Sequence, residues 1–141
     1  MTKTIHDLVS HDLSMVKAAV RHKVRQLSQV PGFDRVRFII LYGSSLTGQP
    51  GSDIDLCVYY DGDLPAASRF RILARSQPGP DFFDIQIFSA LPLYVQREVM
   101  KGEVVYAPDM RFVYDTAVMT YREFERFRHR LDDYTGEKAI T

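Results

Sequence analysis

The sequence holds a single cysteine, Cys57, has no tryptophan and carries no net charge. Nowhere does it string together the roughly eighteen apolar residues that a membrane-spanning helix needs. One thiol cannot form an internal disulfide or a cysteine-rich zinc site, and its solitude fits a reducing compartment. Eighteen Lys and Arg balance eighteen Asp and Glu, so there is no global positive field to hold a nucleic-acid backbone, and strong nucleic-acid binding is not expected. The opening MTKTIHDLVSHDLSM is too polar and too broken by charge for a signal peptide, so the expectation is a soluble, cytoplasmic protein. What is present is ordinary for a globular chain: 141 residues, 45% apolar and 26% charged, with nine Phe and eight Tyr. That is enough for one core and too little for two catalytic domains, and a single domain is expected over residues 1–141.

Residues 1–11 show no clear period. From Asp12, Leu13, Val16, Val20, Val24 and Leu27 recur at helical spacing, with Lys17, Arg21, Lys23 and Arg25 between them, and the helix should end before Pro31-Gly32. Arg35 to Tyr42 (RVRFIILY) is a strand, with Val36 and Phe38 alternating before a continuous apolar run. Gly43 to Gly51 (GSSLTGQPG) is turn chemistry. Asp53 to Tyr60 (DIDLCVYY) alternates, placing Ile54, Leu56 and Val58 on one face and Asp53, Asp55 and Cys57 on the other.

A turn over Asp61 to Pro65 precedes a short helix over Ala66 to Ala74 with Phe70, Leu73 and Ala74 inward. Pro78-Gly79-Pro80 stops it. Asp81 to Phe88 is a third strand, with Phe83, Ile85 and Ile87 on one side and Asp84 and Gln86 on the other. Ser89 and Pro92 read as the cap and first turn of a helix through about Met100, followed by a short strand at Val104–Tyr106. A last helix over roughly Met110 to Tyr134 carries Val113, Ala117, Tyr121, Phe124, Phe127 and Leu131 on one stripe. At ~1.5 Å per residue it is about 37 Å long, as long as the domain is wide, so part of it should project. The order helix–strand–strand–helix–strand–helix–strand–helix is that of one mixed α/β unit.

The junction of the first two strands carries the chemistry. Residues i and i+2 of a strand point the same way, so Asp53 and Asp55 stand on one face with Cα atoms ~6.6 Å apart. Two such carboxylates with no base beside them repel unless a cation sits there, and a hard ion shared with substrate phosphate is best met by magnesium. Gly43-Ser44, where the first strand ends, lets backbone N–H groups and a hydroxyl approach phosphate. Should the third strand pair beside the second, Asp84 joins the other two acids, an arrangement suited to two-metal phosphoryl or nucleotidyl transfer. Asp81 is the competing acid, but it follows Pro80 at the strand start. Ser52 either caps the turn or touches substrate.

Gly43-Ser44, Ser52-Asp53-Ile54-Asp55-Leu56 and Asp84 within an apolar strand together closely resemble the nucleotidyltransferase signature of the DNA polymerase beta superfamily. The length and the segment Arg97–Tyr106 (REVMKGEVVY) are similar to its small stand-alone members, the minimal nucleotidyltransferases (MNT); the resemblance covers about residues 13–106. It implies a nucleotidyltransferase fold, a mixed β-sheet flanked by helices. Asp53 and Asp55 would bind both magnesium ions, and Asp84 would bind the catalytic one and help deprotonate the acceptor. Gly43 and Ser44 would hold the β- and γ-phosphates of ATP or another nucleoside triphosphate. It also implies a HEPN-type toxin as partner, a toxic RNase to whose tyrosine an MNT antitoxin adds AMP. Many small members carry an arginine shortly after the Gly-Ser pair, whereas here Ser45-Leu46-Thr47-Gly48 follows and no basic residue comes until Arg69.

Two further functions fit the same residues: a binding module that neutralises its partner by occlusion, and a small-molecule nucleotidyltransferase of the aminoglycoside type, for which the chain looks short. His6, His11, His22 and His129 lack ligand spacing, and Cys57 reads as a small buried hydrophobe. Arg69, Arg71 and Arg75 read as a solvated helix face, and Arg122, Arg126, Arg128 and Arg130 as members of i,i+4 ion pairs. The aromatic stripe Tyr114, Tyr121, Phe124 and Phe127 reads as core packing or, where the helix outruns the core, as an interface for a homo-oligomer or partner.

Overall fold

Residues 13–43, 53–80 and 82–135 are described by a computed structural model of the chain. The apolar stripe from Val16 to Leu27 forms helix α1 (Leu13–Leu27), with Val16, Val20 and Leu27 fully buried. Strands β1 (Val36–Tyr42) and β2 (Ile54–Tyr60) pair antiparallel, and helix α2 (Leu64–Arg75) carries the chain to β3 (Phe83–Ile87), which pairs parallel with β2. Helix α3 (Leu93–Val99), strand β4 (Glu103–Tyr106), antiparallel to β1, and helix α4 (Met110–Thr135) complete the described order. The sheet runs β3-β2-β1-β4.

Each sheet face has its own core. One holds α1 and α2 against Ile39, Leu41, Ile54, Leu56, Val58, Ile85 and Ile87. The other gathers Phe38, Ile40, Cys57, Phe88, Val99 and Val113 under α3 and α4. Cys57 is the small buried residue expected of it. The Val36–Phe38 alternation is overturned: the register shifts between these two residues, where Val36 faces Tyr60 and Phe38 faces Tyr59. This bulge turns Val36 toward the first core and Phe38 toward the second.

Helix α2 starts earlier than expected because Asp63 caps it, its carboxylate accepting from the Ala66 amide at 2.9 Å, with Pro65 in the first turn. Its buried residues are Ala67, Phe70 and Ala74, while Leu73 is 41% exposed. The helix sits rotated toward its small residues, which lets its backbone approach the sheet. Phe70→Ala is therefore expected to cost about 3–4 kcal/mol in urea unfolding, and Leu73→Ala under about 1 kcal/mol. Equal costs would show the helix rotated the other way.

Other boundaries move by the same local physics. Arg35 belongs to a 3-10 turn, Phe33–Arg35, and Phe88 and Ser89 to another, Phe88–Ala90. Pro92 itself occupies the cap position of α3, and no side chain caps that helix. On α4 only Val113 and Thr120 are buried, with Tyr114, Phe127 and Leu131 exposed, so its outer half does project from the core. Arg126–Glu123 (2.6 Å) and Arg128–Glu125 (3.0 Å) pair at i,i+3 rather than i,i+4.

Candidate active site

Because β1 runs antiparallel to β2 while β3 runs parallel to it, the end of β1 and the starts of β2 and β3 meet at one end of the sheet. Tyr42, Asp55 and Asp84 are register partners there, forming a row across three strands. They lie on the face of Cys57, since Ile54, Leu56 and Ile85 point into the opposite core.

Asp55 and Asp84 are brought together as the sequence suggested. Their register sets the two carboxyl groups beside each other across the strand pair, near enough for the Asp84 charge to act on Asp55. Burial first, then the charges of Asp84 and Asp53, push Asp55 up to about 6. Asp53, just before β2, is exposed and close enough for its charge to be felt. Among the described residues, however, no set of three His, Cys, Asp or Glu side chains converges to metal-holding distance. Nor does any Lys or Arg among them pair with these three acids.

Gly43 has φ 82°, and a Cβ there would stand 2.5 Å from Asp55 Oδ2. The position needs glycine twice over, for the left-handed backbone and for the carboxylate that lies against it. Ser44 and Ser52, the other two expected nucleotide contacts, and the competing acid Asp81 lie outside the described residues.

Two contributors escaped the sequence reading. Gln86, two residues along β3 and so on the same face, donates from Nε2 to Asp84 Oδ1 at 3.0 Å and fixes that carboxylate. Period-two spacing from Asp84 was the available signal. Tyr42 lies beside Asp55 through the β1–β2 register, which no local pattern encodes. Its phenol is held well above its ordinary value by burial and by the charges of Cys57, Asp55 and Asp84, so it stays neutral. The donor set of carboxylate oxygens, in which burial and the charges of Asp84 and Asp53 oppose ionisation of Asp55, fits a hard divalent cation that would offset those charges.

Comparison with known proteins bears on the fold and the family. No curated protein matches the chain in sequence. Its fold is similar to a chain of the MntA–HepT toxin–antitoxin crystal structure (TM-score 0.60, 16% identity, covering 88% of this chain and 99% of that one). It is similar also to a chain of a toxin–antitoxin crystallised with AMP-PNP (TM-score 0.62, 17% identity, 86% and 98% covered). A third likeness is to a chain of the tri-AMPylated HEPN toxin of Shewanella oneidensis in complex with its MNT antitoxin (TM-score 0.61, 17% identity, 89% and 99% covered). The pattern of the family described as polymerase beta, nucleotidyltransferase, matches residues 27–111, from the end of α1 to the start of α4 and so across the whole sheet. The chain thus belongs to the polymerase beta nucleotidyltransferase family.

Proposed function

We propose that this chain transfers AMP from ATP to a hydroxyl group of a partner protein, acting as the antitoxin of a HEPN-type toxin in a reducing cytoplasm. The observation that carries the reading is the pairing of Asp55 with Asp84 beside the bare backbone of Gly43. Asp53, Asp55 and Asp84 would hold magnesium, which when bound neutralises the triphosphate and acidifies the attacking hydroxyl. Asp84, aimed by Gln86, receives the acceptor proton. Gly43 clears a path for the β- and γ-phosphates, with Ser44 and Ser52 as further nucleotide contacts. The neutral Tyr42 phenol flanks the row without adding charge.

The choice of a protein acceptor is supported by the kinship in fold with chains of toxin–antitoxin assemblies. The outer half of α4 offers a surface for a partner or a second copy, with Phe127 47% and Leu131 46% exposed. Incubation with α-labelled ATP, magnesium and a HEPN-type toxin should label that toxin. If the label stays absent while the two proteins still form a complex, neutralisation is by occlusion, the reading favoured by the lack of a basic residue between Ser44 and Arg69.

Magnesium and ATP together should raise the melting temperature by more than the sum of their separate effects, because each completes the other's site. Simple additivity at millimolar ligand would separate the two sites and end the proposal of joint binding.

A further inference from the structure

On the opposite face of β3, away from the carboxylate row, lies a cavity of about 250 Å³ lined by Lys23, Arg75, Gln77, Gly79, Pro80, Phe83 and Ile85. Phe83 and Ile85 turn to this side because Asp84 and Gln86, alternating with them, turn to the other. Lys23 is the unexpected member: it stands between the apolar positions of α1, yet it is only 8% exposed.

The walls are tied together. Lys23 Nζ donates to Gln26 Oε1 at 2.8 Å, and Gln26 Nε2 donates to the Pro78 carbonyl at 2.6 Å, bracing α1 against the turn over residues 78–80. Lys23 Nζ also lies 5.5 Å from the centre of the Phe83 ring. An ammonium has three N–H donors, and one amide oxygen with an aromatic face compensates only part of its lost hydration. Burial accordingly holds Lys23 below its ordinary value. Among the described residues no carboxylate lines the cavity, and neither Lys23 nor Arg75 is in an ion pair. Two cations, one compact and one forked, beside an apolar wall are matched by a doubly charged phosphoryl group.

We propose that Lys23 and Arg75 form a second binding site, for a small ligand bearing a phosphoryl group, on the back of β3. The phosphoryl group could belong to free pyrophosphate or to a nucleoside monophosphate, since the cavity has room for more than the anion alone. The site does not depend on the proposed transfer reaction, and its test can be kept apart from it. Without divalent metal, the carboxylate row repels anions, so binding then reports on the cationic cavity.

Calorimetric titration of the full chain in excess chelator with inorganic pyrophosphate, and separately with AMP, should show saturable binding of at least one, the tighter ligand naming the source. Lys23→Met and Arg75→Gln should each weaken it on the order of tenfold, whereas Asp55→Asn should leave it unchanged. Lys23→Met keeps length and apolar packing while removing the charge, and Arg75 is exposed, so its variant folds in any case. Absence of saturable binding by the wild-type chain would overturn the proposal. So would binding undiminished in both cavity variants, or binding lost in Asp55→Asn.

Discussion

Asp55→Asn is expected to lower nucleotidyl transfer by roughly 10²–10³-fold or more, because it removes a carboxylate from the centre of the row, while making the metal-free protein more stable. The second effect follows from the direction of the pKa. In the fold Asp55 is pushed up to about 6 from its ordinary value of 3.8, so the folded state binds the proton more tightly than the unfolded chain. Stability contributed by this group is therefore full below pH ~4, falls as pH rises through about 6, and stays lost above that. The asparagine variant lacks this penalty. Its melting temperature should exceed that of wild type by about 2–5 °C at pH 7.5, as ~1 kcal/mol gives in a chain of this size, the shift being discounted because the carboxyl is half-exposed. The gain should vanish near pH 4. Thermal unfolding at the two pH values checks it, and a variant no more stable at high pH would show that neither burial nor the neighbouring acids burden Asp55. Retained transfer activity would remove Asp55 from the mechanism.

Gly43→Ala is expected to be nearly as damaging to activity, and unlike the preceding substitution it should also destabilise. At φ 82° an alanine is strained by about 1 kcal/mol, and its Cβ would meet Asp55 Oδ2 at 2.5 Å. Asp55 sits in β2, paired on both sides, and cannot retreat with its backbone, so its carboxylate must rotate away from Asp84. A loss of about 1–2 kcal/mol in denaturant unfolding is expected, with transfer down on the order of a hundredfold. Combining Gly43→Ala with Asp55→Ala, which removes the clashing group, should recover stability to within the strain of the backbone and leave activity absent. A double variant as unstable as the sum of both changes would place the cost elsewhere, in the turn itself.

Much of this was legible in the chain. The period-two pattern of Ile54, Leu56 and Val58 determined which way Asp55 and Cys57 face, since a strand that buries one side must present the other. The apolar run of β1, broken by Gly43, determined where the sheet ends. The spacing of Val16, Val20 and Leu27 set the buried stripe of α1. Each of these is a local consequence of backbone periodicity.

What pattern alone left open was whatever depends on which elements become neighbours. The bulge that sends Val36 and Phe38 to different cores, the rotation of α2 that exposes Leu73 and the burial of Lys23 were all decided by packing against distant residues. The register that sets Tyr42, Asp55 and Asp84 side by side belongs to the same class: three strands separated by long connections have no local signal for alignment, and only the joint burial of both sheet faces selects one. The sequence by itself determined the chemical groups and the direction each faces along its strand. The tertiary structure decided which of those groups share a place, because proximity across strands is a property of the assembled sheet.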